Sequence, residues 1–277
     1  MSDHSNLKSM MQGSSGSSFQ VPIILSKISL LLMFVESAIG LFIPGAYTKD
    51  SAWGRAVFLG NDLINLFLFT PLLIIALILL KRGSDKGKVF WLGIQALVTY
   101  DYIYYPLAVA YNIYFLLYVT ILGVSLYSFI FGINALDVSI YQKYIPGKHG
   151  RITASVLLLA FALVFVFLWI GRYISFLITG KLDMDGVSMI STFDLITLAV
   201  PLVLSATWLL KGEGRGYVLS IVMGLVCGFY SFILMAYTPY ALKANLSDAW
   251  TMLPFWIFTA ILGLTPAMIL LMSKPQN

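Results

Sequence analysis

Eight apolar runs, each long enough to cross a bilayer as a helix, limit this chain more than any other feature. They cover roughly 22–43, 57–80, 89–106, 112–135, 152–178, 194–210, 217–238 and 251–272. At 1.5 Å per residue, about 20 helical residues cross ~30 Å of hydrocarbon. Lipid offers the backbone no hydrogen-bond partner, so only helices and closed barrels span it. A barrel would read as short alternating segments, and none occur. The expected fold class is all-α, a polytopic membrane protein with eight transmembrane helices. Composition agrees: 60% of residues are apolar and 10% charged, against about 25% charged in soluble domains.

The loops set the expected orientation. "KRGSDKGK" (81–88), "YQKYIPGKHGR" (141–151) and "KGEGRG" (211–216) fall on one side with both termini. That side holds Lys8, Lys81, Arg82, Lys86, Lys88, Lys143, Lys148, Arg151, Lys211, Arg215 and Lys274. The other holds Lys49, Arg55, Lys181 and Lys243. Eleven against four places both termini in the cytoplasm by the positive-inside bias, with the cell membrane as the expected location. The net charge of +5 is read as basic loops rather than nucleic-acid binding. Residues 1–20, "MSDHSNLKSMMQGSSGSSFQ", read as a disordered cytoplasmic tail.

Two stretches repeat one another. "DLINLFLFTPLLIIALILLKRGSDKG" begins at Asp62 and "DLITLAVPLVLSATWLLKGEGRG" at Asp194. Both run Asp-Leu-Ile-x-Leu, then Pro-Leu (Pro71, Pro201), then Leu-Leu-Lys and a Gly-rich basic turn, with a two-residue gap between them. "TILG" (120–123) similarly matches "AILG" (260–263). The expected organisation is two four-helix halves, 21–136 and 152–277, joined by a cytoplasmic linker, 137–151. An even number of spans per half makes the repeats parallel.

Ionisable residues inside membrane segments are costly and point to function by default. Ser26, Ser29, Met33, Glu36 and Gly40 recur at steps of three and four, so they share a face of the first span. Arg172, at nearly the equivalent position of the fifth span, is the expected partner of Glu36. Asp62 and Asp194 open their spans as read here, where a carboxylate suits a helix N-terminus. Asn61 and Asn65 are one turn apart. "QALVTYDYIYYPLAVAYNIYFLLYVTILG" (95–123) sets Asp101 among seven tyrosines. Tyr104, Tyr105 and Tyr111 read as an interfacial aromatic belt, while Tyr118 and Asp101 lie deeper. Glu36, Asp62, Asn65, Asp101, Tyr118, Arg172 and Asp194 all fall in the outer half. Together they imply one ligand- or ion-binding cavity open to the outside. In the seventh span Ser220, Gly224, Cys227, Gly228 and Ser231 form a small-residue stripe suited to close helix packing.

"GNDLINLFLFTPLL", "WLGIQALVTYDYIYYPLAVAYNIYFLLYVTILGVSLYSF", "RYISFLITG", "FDLITLAVPLVL" and "GRGYVL" together resemble a family of uncharacterised, chiefly prokaryotic multi-pass membrane proteins. The resemblance covers most of the chain from about Ile39 to Gly224. It implies a shared fold and no activity. The family often has Phe where this chain has Tyr111.

Function follows only in outline. The histidines are His4 and His149, outside the spans, and the one cysteine is Cys227. Histidine metal sites, Ser-His hydrolase arrangements and CxxC redox pairs are excluded. No cofactor is expected. The seventh span has no lysine for a retinal Schiff base. The expected partners are the bilayer, a small-molecule ligand or a proton, and a membrane partner subunit. A transporter or small-molecule binding protein fits repeat halves with membrane carboxylates. A non-catalytic scaffold or sensor subunit is the alternative, followed by an intramembrane acid–base enzyme acting through Glu36 or Asp101.

Overall fold

The structure is a computed structural model and describes residues 18–181 and 187–276. Most of the expected tail, residues 1–17, lies outside the described residues, as does 182–186 of an expected outer loop. Among the described residues there is no strand. The long helices are α1 (Gln20–Phe42), α2 (Ala52–Lys81), α3 (Asp85–Ala108), α4 (Phe115–Ala135), α5 (Lys148–Thr179), α6 (Ser188–Leu210), α7 (Gly214–Ala236) and α8 (Leu253–Met272). A short helix, Thr238–Lys243, continues α7, and a 3₁₀ turn, Val138–Tyr144, occupies the linker.

Among the described residues, seven helices are long and apolar enough to cross a membrane, namely all of these except α3. The chain is thus a multi-pass helical membrane protein. The third expected span, 89–106, lies within α3, which is long enough but not apolar enough. Gln95, Asp101 and four tyrosines (Tyr100, Tyr102, Tyr104, Tyr105) lower its hydropathy. Those same residues are buried, on all sides of the helix. α3 is therefore enclosed by protein rather than facing lipid, which is where polar side chains find donors and acceptors.

α3 and α7 pack against each other at the centre. α3 also contacts α2 and α4, and α7 contacts α6 and α8. α1 lies against α2 and α4, and α5 against α6 and α8. The predicted face of α1 is the one it buries: Ser26, Ser29, Met33, Glu36 and Gly40 all point inward, as do Pro22 and Ser37. At its basic end, Ser26 is tied to Gln95 (2.5 Å), to Ser128 (3.1 Å) and to Trp91, whose Nε1 donates to it at 2.8 Å. The small-residue stripe of α7 packs on α8 at close range. A Cβ on Gly263 would lie 2.5 Å from the Gly228 backbone nitrogen, so glycine at both places lets the backbones meet.

Two helices carry a wide π turn. In α2 it covers Asn65–Phe69, just before Pro71; in α6 it covers Asp194–Ala199, just before Pro201. Proline has no N–H and cannot close the regular helical bond there. The sequence reading set Asp62 and Asp194 at helix starts. In fact Asp62 lies near the end of the first α-helical part of α2 (Ala52–Ile64), and Asp194 follows a full helical segment (Val187–Phe193). Neither caps an α-helix N-terminus: Asp62 lies one turn before its π turn, and Asp194 is the first residue of the other.

The basic loops meet at one face. Asp85 pairs with Lys88 (3.5 Å) and Lys143 (3.3 Å), and accepts from Tyr144 Oη. Lys86 donates to the Leu271 carbonyl at 2.7 Å and to that of Ser273. Gln276 N donates to the Lys143 carbonyl. Lys143 lies beside Asp85, which raises its pKa, and burial lowers that of Lys86. At the opposite face, Asp50 accepts from the Ala110 backbone N–H at 2.7 Å, and Asn112 donates to the Ala46 carbonyl. This ties the loop 43–51 to the turn 109–114.

Candidate functional site

α1, α2 and α3 bring three carboxyl groups together in the half of the protein away from the basic loops. Glu36, Asp62 and Asp101 are each almost wholly buried. Glu36 Oε2 accepts from Tyr102 Oη at 2.7 Å and Oε1 from Tyr47 Oη at 3.3 Å. Asp62 Oδ2 accepts from Tyr47 Oη at 2.8 Å and Oδ1 from Tyr105 Oη at 2.7 Å. Asp101 accepts from Asn61 Nδ2 at 3.1 Å and Asn65 Nδ2 at 2.7 Å. Asn65 also donates to Tyr105 Oη at 3.3 Å. The groups thus form one chain, Glu36–Tyr47–Asp62–Tyr105–Asn65–Asp101–Asn61. The Tyr118 ring lies 5.3 Å from that of Tyr105. Gly40 lets α1 approach: a Cβ there would meet Asp62 Oδ2 at 1.8 Å and Tyr47 Oη at 2.9 Å.

Every donor in this cluster is neutral. No lysine, arginine or histidine among the described residues pairs with any of the three carboxyl groups. A hydroxyl has one proton to give, yet Tyr47 Oη lies within reach of both Asp62 and Glu36. When it donates to Asp62, the Glu36 contact is a hydrogen bond only if Glu36 itself carries a proton. The amide oxygens of Asn61 and Asn65 are buried and accept no hydrogen bond among the described residues.

Asp194 belongs to a second group, around a cavity of about 550 Å³ between α2, α3, α5, α6, α7 and α8. Its Oδ2 accepts from Trp169 Nε1 at 2.9 Å. Its Oδ1 lies against the hydroxyls of Tyr100 and, at 3.1 Å, of Tyr104; these two are also 2.7 Å apart, so one donates to the other and only one donates to Asp194. Lys49, Asp50, Trp53 and Tyr237 line the cavity at the face opposite the basic loops. Phe161, Leu198 and Cys227, each near the middle of its helix, line the inner end. Asp50 lies outside the helices, and burial raises its pKa. Arg172 lies in the cavity wall with its guanidinium 5.7 Å from the Trp169 ring.

The structure therefore divides the residues that the sequence grouped. Glu36, Asp62, Asn65, Asp101 and Tyr118 gather in the buried cluster, whereas Arg172 and Asp194 line the cavity. The expected Glu36–Arg172 pair does not form, because α1 packs on α2 and α4 while α5 packs on α6 and α8. Asn61 links the two regions: it is among the residues that line the cavity, and its Nδ2 donates to Asp101.

Sequence reasoning singled out Asn61 and Asn65, the donors to Asp101, but missed the aromatic donors. Tyr104 and Tyr105, read as belt residues, are buried with their hydroxyls on Asp194 and Asp62; Tyr111 is exposed. Four tyrosines within six positions cannot share one helix face, and that spacing was the available signal that α3 is surrounded. Tyr47 and Trp169 carried no signal, since each reaches its carboxylate only through tertiary packing. Comparison with family models, curated proteins and solved structures finds no match to this chain.

Proposed function

We propose that this is an eight-span protein of the cell membrane, with both termini cytoplasmic, that binds a small molecule in the cavity at Asp194 and moves it with a proton held by the Glu36–Asp62–Asp101 cluster. The observation that carries the reading is Asn61, a residue that lines the cavity and whose Nδ2 donates to Asp101. Occupancy of one region is then felt in the other through a single hydrogen bond. A pocket of ~300–1,000 Å³ with a few convergent polar groups is the usual form of a small-molecule site.

The topology in this reading counts α3 as a span and pairs the helices as two parallel four-helix repeats. Several features support the pairing. α1 packs on α2 and α4 as α5 packs on α6 and α8; α3 packs on α2 and α4 as α7 packs on α6 and α8. π turns precede Pro71 and Pro201 alike. Both Asp62 and Asp194 accept from tyrosines of α3. The likeness to uncharacterised prokaryotic membrane proteins belongs to the same reading and rests on the sequence segments alone.

Reconstitution into liposomes tests it. With a pH gradient imposed, lumenal pH and uptake of candidate solutes are followed together. The expected result is solute-dependent proton movement that Glu36→Gln abolishes. Solute binding without proton movement would leave a binding protein or sensor subunit, and no binding at all would leave a scaffold.

A further inference from the structure

We propose that the occupant of the cavity is a hydrophobic organic cation carrying one positive charge, seated on the Asp194 carboxylate. This rests on the reading of the cavity as a small-molecule site.

The first argument is charge. Asp194 is almost wholly buried, and its partners are Trp169, Tyr100 and Tyr104, all neutral donors. Among the described residues no cation lies within ion-pair distance of it. The Trp169 N–H and one tyrosine proton, the other being used between Tyr100 and Tyr104, orient a carboxylate without cancelling its charge. A buried charge is costly unless a counter-charge or a proton arrives; the open side of Asp194 is the cavity, from which a cation can displace the proton.

The second argument is the wall. Tyr104, Tyr230 and Trp169 line the cavity beside Asp194, the two tyrosine rings 6.2 Å apart; Tyr100, outside the lining, packs edge-on against both at 5.5 Å and 4.9 Å. Aromatic faces attract organic cations, and more strongly when water is excluded. The remaining walls are mainly apolar. They do not replace the hydration shell of an inorganic ion, and no His/Cys/Asp/Glu cluster among the described residues is arranged to hold a metal. An apolar body around a single charge fits both features.

Lys49 and Arg172 also line the cavity, and they bear on the alternative of an anionic amphiphile. Such a molecule, with its head at those two residues, would put its apolar body against Asp194 and leave that carboxylate uncompensated.

The test uses the full chain in detergent and a pair of probes of one shape and opposite charge, tetraphenylphosphonium and tetraphenylborate. Binding is read by equilibrium dialysis against empty micelles and by quenching of tryptophan fluorescence. Tetraphenylphosphonium should bind and tetraphenylborate should not. Asp194→Asn should weaken binding at least tenfold, and Glu213→Gln, on the basic face, should leave it unchanged. Leu234→Trp, which narrows the cavity but leaves Asp194 in place, should block binding without lowering the unfolding temperature; this variant decides the matter if Asp194→Asn does not fold. Preference for tetraphenylborate, or equal binding of tetraphenylphosphonium by Asp194→Asn, overturns the cation assignment and leaves the cavity reading standing. Failure of both probes to bind overturns the assignment together with that reading.

Discussion

The hydroxyl of Tyr47 stands between Asp62, 2.8 Å away, and Glu36, 3.3 Å away, so one proton donor serves two buried carboxyl groups from different helices. Tyr47 comes from the loop 43–51, outside the helices, and it closes the cluster from that end. Tyr47→Phe keeps the ring, which stacks on Phe58, and removes only the donor. Buried acceptors left unpaired cost ~1–3 kcal/mol. The variant should fold with a lower unfolding temperature in detergent; an unchanged temperature would mean that the two contacts contribute nothing.

Gly40→Ala should be far more damaging than its size implies. The added carbon would lie 1.8 Å from Asp62 Oδ2, so α1 must move or the Asp62–Tyr47 bond must break. Gly123→Ala is the control, since a carbon there meets nothing within 4 Å. The yield of folded protein should fall for the first and hold for the second. Equal yields would contradict the packing of α1 on α2.

Glu36→Gln and Arg172→Gln should act independently. Glu36 bonds to Tyr102, Tyr47 and Ser37, and Arg172 sits over Trp169 in the cavity wall. Changes at sites with no shared partner add to within ~0.5 kcal/mol. A double variant clearly more stable than that sum would restore a direct link between the two.

Labelling of single cysteines in a Cys227→Ala background tests the arrangement of the faces. Cysteines placed at Ser84 and Gly212 should react from one side of the membrane, and those at Thr48 and Asn112 from the other. Reaction of positions 84 and 112 from the same side would mean that α3 does not cross.

Much of the fold could be read from the chain, because lipid makes apolar length nearly sufficient to define a helix. The buried face of α1 followed directly from the spacing of Ser26, Ser29, Met33, Glu36 and Gly40. The site was legible only in part. Carboxyl groups in apolar segments flag themselves, so Glu36, Asp62, Asp101 and Asp194 stood out. Which of them meet depends on which helices are neighbours, and a list of spans does not contain that. The π turns were hidden as well. Pro71 and Pro201 mark places where a helical bond is lost, but the way the backbone absorbs the loss is decided by packing.

The position of α3 also bears on how the chain is built into its membrane. Helices are sorted into lipid during synthesis largely by their own apolarity, and an aspartate at the centre of a segment disfavours that step by ~2.5–3.5 kcal/mol. α3, with Asp101 and Gln95, is the long helix least able to make the transfer alone. As the third span of the proposed topology, it would wait at the insertion machinery until neighbours could receive it. α2, already made, offers Asn61 and Asn65 to Asp101, whereas α7, against which α3 also packs, is synthesised more than a hundred residues later. The donors on α2 would therefore act as an escort during biogenesis, and loss of Asn61 and Asn65 together should appear first as a defect of insertion in newly made chains.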